Sequence, residues 1–243
     1  MAIFAAGIAA GTINTVVGSG TLITFPMLLA FGYGPVVANV SNTIGLVPGS
    51  LSGAIGYRRE LEGQRHRAIM LGIGSTIGGV TGAVLLLELP ASAFKAIVPV
   101  FIGIALALIV TQRQLERLIG HHRRAAHQGT PPAAVIGATA SGIYGGYFGA
   151  AQGIMLLALL TTTIEDELQR LNAIKVVTAG LVNFVAGIVF VFAAKVDWAA
   201  AGLIAGGSIL GGVVGARYGR RLSPRALRLL IVIVGISAIV RLA

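Results

Sequence analysis

Uncharged polar side chains gather in two stretches of an otherwise apolar sequence, and each stretch contains a run of small residues. In the first, Gly18-Ser19-Gly20-Thr21 stands just before a short apolar segment. Backbone N–H groups at a helix start carry partial positive charge, and glycine lets the backbone approach a ligand closely. This combination suits the binding of an anion. Hydroxyl side chains at such a position also serve as simple helix caps, and the sequence leaves that alternative open.

The candidate substrate-binding residues come from these two stretches and from the apolar segments that follow them. They are Asn14, Gly18, Ser19, Gly20, Thr21, Asn39, Ser41, Asn42, Gln152, Gly153, Asn172 and Lys175. Lys175 is the cationic member of the set. It can supply positive charge to the site, or its ammonium group can reach the cytoplasmic surface along its own methylene chain. We expect these residues to surround one cavity near the membrane midplane, with four helix N-termini directed at it.

No group of residues indicates catalysis or metal binding. The four histidines fall in basic loops without the spacing of metal ligands on a helix, and they are His66, His121, His122 and His127. No serine–histidine–carboxylate set can be assembled, no acidic residue lies inside a long apolar run, and no Walker-type phosphate loop is present. We therefore expect no enzyme activity, no cofactor and no metal ion.

The composition is that of an integral membrane protein. Hydrophobic residues make up 56% of the chain and charged residues 11%, whereas soluble domains carry about a quarter charged residues. Apolar stretches close to the roughly 17–25 residues that span a bilayer occur at 36–57, 68–87, 93–111, 172–194, 198–216 and 226–242. The net charge of +10 lies mainly in short loops, which indicates cytoplasmic loops and not a nucleic-acid site. We predict an all-α, multi-pass membrane protein.

Two pairs of apolar segments are too short to span a bilayer. The first pair is 2–17 and 21–31, and the second is 133–148 and 153–163. A helix of 11 residues is only about 17 Å long at 1.5 Å per residue. Each pair therefore forms either a re-entrant helical hairpin or two tilted crossing helices, and the sequence does not decide between them.

The chain contains an internal duplication with a shift of 133 residues. Under this shift, 8 of the 16 residues at 68–83 are identical to those at 201–216, Gly20 pairs with Gly153, and Asn42 pairs with Lys175. We predict one membrane domain over 1–243, with a first repeat at 1–111, a cytoplasmic linker at 112–132 and a second repeat at 133–243. Each repeat would comprise a short hairpin and three transmembrane helices.

The distribution of Lys and Arg predicts that the two repeats are inverted. If each short pair enters and leaves the membrane on one side, 15 of the 18 Lys and Arg residues fall on one side. That strong bias is typical of cytoplasmic loops. Inverted repeats are common among secondary transporters, whose sites lie near the midplane. Under this topology both termini are outside.

Residues 11–61 resemble the first repeat of the TauE/SafE family of sulfite and organosulfonate exporters. The likeness lies in Gly18-Ser19-Gly20, Pro26 and the segment from Ala38 to Thr43. In the second repeat it lies in Gly145-Gly146-Tyr147-Phe148-Gly149 and the segment from Asn172 to Lys175, although Ala150-Ala151-Gln152 replaces glycines. The resemblance implies a bacterial inner-membrane protein that exports a small anion.

We therefore expect a secondary transporter for a small anion such as sulfite or an organosulfonate. Its partners would be that anion and the lipid bilayer, with no nucleic acid, and a homo-oligomer is left open. An anion channel is the first alternative. A membrane-embedded assembly factor is the second, and it would need a hydrophilic groove that holds a charge, for which Lys175 is the only candidate.

Overall fold

The computed structural model describes residues 1–120, 130–219 and 233, and these are helical with no strand. The helices are α1 (Ala2–Val16), α2 (Thr21–Ala30), α3 (Pro35–Gly56), α4 (Arg65–Glu88), α5 (Ala91–Gly120), α6 (Pro132–Tyr147), α7 (Gln152–Thr163), α8 (Leu168–Ala193) and α9 (Trp198–Tyr218). The predicted all-α architecture is confirmed over this part of the chain. Apart from residue 233, the predicted helix at 226–242 lies outside the described residues, as do residues 121–129 of the predicted linker. The linker was expected to begin at 112, but α5 continues to Gly120.

Helix lengths divide the structure into short and long elements. By length and composition, α4, α8 and α9 are long and apolar enough to cross a membrane. In contrast, α1 has 15 residues and α2 has 10, so they extend about 22 Å and 15 Å. Both are shorter than the roughly 30 Å hydrocarbon core of a bilayer. The same order of two short helices followed by long ones recurs from α6 to α9.

The long helices turn large apolar side chains outward and small residues inward. On α4, Ile69, Ile73 and Ile77 are exposed, whereas Gly74 and Gly78 are buried. A Cβ added at Gly74 would lie 3.1 Å from the carbonyl oxygen of Val135 on α6, and one at Gly78 would collide with Thr139. Small residues thus let the backbones of α4 and α6 approach closely, as is typical of helix packing in lipid.

The most extensive helix contacts join α1 to α9 and α4 to α6. Each short first helix therefore packs against a long helix of the other predicted repeat. Both pairs run parallel: Gly7 packs on Ile204 and Gly11 on Ser208, so residue numbers rise together along the contact.

The helices α3 and α8 run antiparallel to each other. Gly53 lies against Val176, and Gly180 lies against Ser50, so numbers rise on one helix as they fall on the other. At the 133-residue shift, the starts of α3 and α8 coincide, as do the starts of α4 and α9. The two helices that correspond in sequence therefore point in opposite directions.

Candidate functional site

Each short hairpin reverses direction at a glycine in the left-handed conformation. Gly18 has φ of 86° and Gly149 has φ of 76°. At the first turn the N–H of Gly18 bonds to the carbonyl of Ile13, and at the second the N–H of Gly149 bonds to the carbonyl of Tyr144. These turns correspond at a shift of 131 residues. The ungapped shift of 133 is therefore wrong at the hairpin turns. Between these turns and the starts of α3 and α8, the second repeat is two residues longer than the first.

The tips of the two hairpins touch. Gly153 donates its backbone N–H to the carbonyl oxygen of Gly18 over 3.1 Å. A Cβ on Gly18 would lie 2.5 Å from the Cα of Gly153, and one on Gly20 would lie 2.6 Å from the carbonyl oxygen of Ala10. Only glycine fits at these points, because any side chain would meet backbone atoms of a neighbouring segment.

The hydroxyl groups near the tips do not cap the helices. The N-cap residues of α2 and α7 are Gly20 and Ala151, and neither helix start has a side-chain cap hydrogen bond. Capping by Ser19 or Thr21 is therefore wrong as an explanation of the motif. Two helix N-termini lie at the tips, not the expected four, because α3 and α8 begin at loops one to two turns before their polar residues.

Polar side chains of the first half bind one another or the second hairpin. Asn42 is fully buried, donates to the Thr21 hydroxyl over 3.2 Å and accepts a short hydrogen bond from Thr24. Asn39, also fully buried, donates its amide to the carbonyl oxygen of Tyr147 over 3.0 Å. Asn39 thus joins α3 to the last residue of α6.

In the second half, Asn172 makes the contact that corresponds to that of Asn39, and Lys175 adds two further hydrogen bonds. Asn172 donates its amide to the carbonyl oxygen of Thr15, the penultimate residue of α1, over 3.5 Å. One turn later, the Lys175 ammonium donates to the carbonyl oxygens of Asn14 and Thr15 over 3.3 Å and 3.2 Å. A helix C-terminus carries partial negative charge, so a cation is stabilised there.

Lys175 is fully buried. Its reaching the cytoplasmic surface is therefore wrong, since the side chain runs inward to the end of α1. A Cβ on Gly153 would lie 3.1 Å from its Cδ, so the methylene chain passes beside the second tip. Lys175 therefore contacts both hairpins.

Four of the candidate residues carry a buried polar atom with no hydrogen-bond partner in the described part of the chain. These atoms are Ser19 Oγ, Asn39 Oδ1, Gln152 Nε2 and Asn172 Oδ1. Buried polar atoms are nearly always bonded, so each such atom requires a partner such as water, an ion or a ligand. Their concentration around the tips is what a polar binding site requires.

Two candidate residues have local structural partners. Ser41 accepts a hydrogen bond from the backbone N–H of Asp197 over 2.9 Å, and the Asp197 carboxylate caps α9. Ser41 therefore holds the loop between α8 and α9, and the structure does not bring it to the tips. Asn14 is half-buried and donates to the Ser50 hydroxyl over 3.4 Å. Thr24, which was not among the candidate site residues, lies one helical turn after Thr21 and completes the Asn42 contact.

An aromatic cluster flanks the second tip. Phe148 makes edge-on contacts with Phe25 and Phe94, with ring centroids 5.1 Å and 5.9 Å apart. Phe101 packs on Tyr144 in the same way at 5.2 Å. Such packing excludes water from that side of the tip and holds the turn in place.

A charged cluster joins the two halves at the starts of α4 and α8. Asp166, in the loop before α8, accepts from Arg67 over 2.5 Å and from Arg170 over 2.9 Å. Burial acts to raise the pKa of Asp166, but hydrogen bonds from Arg67 and the Glu167 N–H, with the charges of both arginines, lower it below its ordinary value. The carboxylate is thereby kept ionised.

A groove of about 530 Å³ lies elsewhere, between α4 and α8. Its lining is almost wholly apolar, with Arg65 at one end, and includes none of the candidate residues. An apolar groove at the outer face does not suit a small anion, so the tips remain the candidate site. Within the described ranges, no cluster of His, Cys, Asp and Glu could hold a metal ion.

Comparison with known proteins identifies the relatives of the chain. The profile of the family described as Sulfite exporter TauE/SafE matches residues 3–242. The chain is 30% identical to the Probable membrane transporter protein ORF9 of Sinorhizobium sp over 242 residues, 99% of this chain and 90% of that protein. It is 26% identical to the Probable membrane transporter protein YfcA of Escherichia coli K12 over 234 residues, 96% of this chain and 85% of that one. No solved structure matches significantly.

Proposed function

Because the chain belongs to the sulfite exporter TauE/SafE family, a family of membrane transporters, we propose that it exports a small anion such as sulfite or an organosulfonate. The observation that carries this proposal is the fully buried Lys175, which lies against both hairpin tips. A buried ammonium ion is costly unless it is paired or serves a ligand. Two carbonyls use two of its three N–H donors, and the third is available to an anion.

The same place offers further donors to an anion. Ser19 Oγ and Gln152 Nε2 are buried and without a partner in the described part of the chain. The N-termini of α2 and α7 begin at the two tips and add partial positive charge. Donors of this kind replace water around an anion and reduce the cost of its desolvation.

The inverted repeat is part of the proposal. The antiparallel course of α3 and α8, together with the exchanged packing of α1 on α9 and α6 on α4, supports it. In such proteins a site at the interface of the repeats becomes accessible from either side as one repeat moves against the other. An inside-negative potential would drive anion export by about 2.3 kcal/mol per charge per 100 mV. Residence in a bacterial inner membrane, with both termini outside, belongs to the same proposal.

A direct experiment is efflux from proteoliposomes that contain the purified protein. The vesicles are loaded with radiolabelled sulfite, sulfoacetate or sulfate, and an inside-negative potential is imposed with valinomycin and potassium. We expect saturable efflux of at least one sulfur oxyanion, and loss of that efflux in Lys175→Met. Efflux that does not saturate would favour a channel, and no efflux of any of the anions would contradict the proposal.

A further inference from the structure

The contacts of Asn39 and Asn172 form a matched pair. The two residues correspond at the shift of 133, and each donates its amide to a carbonyl in the last turn of the other half's first short helix. Asn39 meets the end of α6, and Asn172 meets the end of α1. The same chemical environment, a buried helix C-terminus with an asparagine beside it, therefore occurs twice.

Only one of these two environments contains a cationic side chain among the residues described. At the end of α1, Lys175 donates to two carbonyl oxygens. The residue that corresponds to Lys175 is Asn42, which is neutral and uses its amide on the hydroxyls of α2. The partial negative charge at the end of α6 is therefore not balanced in the way that Lys175 balances it at the end of α1.

An acceptor atom without a partner lies at this same helix end. Asn39 is fully buried, and its Oδ1 has no hydrogen-bond partner in the described ranges. The orientation of the amide is fixed by its other contact, because the Tyr147 carbonyl can only accept and so must face the NH₂ group. The free atom is thus an oxygen. An oxygen acceptor beside a helix C-terminus requires a donor or a cation.

We propose that a monovalent cation, Na⁺, binds at the end of α6 and takes the place that the Lys175 ammonium has at the end of α1. Its ligands would be Asn39 Oδ1 and backbone carbonyl oxygens of the last turn of α6. The carbonyls of Asn14 and Thr15 accept from Lys175 at the end of α1. At the shift of 131, these two residues correspond to Gly145 and Gly146, whose carbonyls are the expected ligands. Helix C-termini and exposed carbonyls at membrane depth are suited to coordinating Na⁺.

The ligand set favours a monovalent over a divalent cation. Hard divalent cations such as Ca²⁺ are held by carboxylates, and no acidic residue lies within α3 or α6. With neutral oxygen ligands, only the partial negative charge at the end of α6 balances the ion, and this suits a single positive charge. The Lys175 ammonium is balanced in the same way at the end of α1. The role of this ion in transport rests on the proposed function, but its binding is measurable without any substrate.

The test is the thermal stability of the purified full-length protein in detergent without substrate, in NaCl, KCl or N-methylglucamine chloride at equal ionic strength. A ligand that binds the folded state raises the unfolding midpoint with its concentration. We expect that rise with Na⁺ and a smaller one or none with N-methylglucamine. Asn39→Ala should weaken the Na⁺ dependence about tenfold in concentration. Asn39→Asp, which keeps the shape and adds a charge, should strengthen it.

Asn172→Ala is the matched control, because it removes the corresponding amide where Lys175 already supplies a cation. It should keep the Na⁺ dependence of the wild type. The proposal is overturned if the midpoint responds equally to all three salts, or if Asn39→Ala and Asn39→Asp both respond like the wild type. None of these results depends on anion transport.

Discussion

The backbone N–H of Gly153 bonds to the carbonyl oxygen of Gly18 over 3.1 Å, and this bond links the two hairpins at their tips. Both residues lack a side chain at the point of closest approach. The position of one tip is therefore fixed by the other, and the polar residues of both halves are held around a single contact.

Gly18→Ala tests this contact. The left-handed φ costs alanine about 1 kcal/mol, and the added Cβ would meet the Cα of Gly153 at 2.5 Å, adding about 1–3 kcal/mol of overpacking. Gly32→Ala is the matched control, because Gly32 has the same φ of 86° but no atom within 4 Å of an added Cβ. We expect a clearly larger fall in unfolding midpoint, and in transport, for Gly18→Ala. Equal falls in the unfolding midpoint of the two variants would mean that the left-handed backbone conformation, and not the contact with Gly153, causes the effect.

Lys175→Met should sharply reduce anion transport at low substrate concentration while leaving the protein folded. Methionine keeps the apolar chain beside Gly153 but removes the charge, and a charge-assisted hydrogen bond of roughly 2–3 kcal/mol corresponds to about a 30–150-fold loss of affinity. Lys195→Met, at an exposed loop position, is the control and should transport normally. The measurement is sulfite or sulfoacetate efflux, with a size-exclusion profile of each variant. Normal efflux by Lys175→Met would place the site elsewhere.

Asp166→Asn should destabilise the protein by about 1 kcal/mol, the upper range for accessible ion pairs. Because folding lowers the pKa of Asp166, its stabilising contribution is present above the ordinary aspartate pKa. That contribution is lost as the pH falls through the lowered folded-state pKa. Thermal unfolding measured from neutral to acidic pH should therefore show a smaller decline for Asp166→Asn than for the wild type. Glu165→Gln, exposed in the same loop, is the control. Parallel pH dependences of the unfolding midpoint for Asp166→Asn and the wild type would mean that the contacts of Asp166 with the two arginines do not stabilise the protein.

Single cysteines should report the proposed topology, since the chain has no native cysteine. The proposed topology places the loops at 58–67 and 164–171 in the cytoplasm and the loop before α9 outside. Glu62→Cys and Glu167→Cys are exposed in the first two loops, and Lys195→Cys is exposed in the third. An impermeant maleimide added to intact cells should label only Lys195→Cys. All three should react after the membrane is permeabilised. Labelling of Glu62→Cys in intact cells would contradict the inverted arrangement.

The sequence alone predicted the helical elements well because long apolar runs and glycine spacing are local signals. The starts of α3 and α8, and of α4 and α9, agree with the shift of 133 found from residue identities. The two residues added in the second hairpin were missed because only one ungapped shift was compared. They lie in α7, which has 12 residues where α2 has 10, and the tips themselves have equal length. The left-handed conformation of Ala151 at the second tip is likewise not revealed by composition.

The partners of the candidate residues could not be predicted in the same way. The contact of Lys175 with the end of α1 joins residues far apart in sequence, and only the packing of α1 on α9 and of α3 on α8 brings them together. Ser41 looked like a member of the site because of its neighbours in sequence. A helix turns about 100° per residue, however, so Ser41 and Asn42 face different elements.

The packing of α1 on α9 has a consequence for synthesis of the protein. Helix α1 is synthesised long before its main partner α9, and the two pack together at points such as Gly11 against Ser208. Contacts of such long sequence separation form late and slowly. Until α9 has been made, the surface of α1 around Gly7 and Gly11 therefore lacks the helix against which it packs. A chain truncated before α9 would leave that surface uncovered.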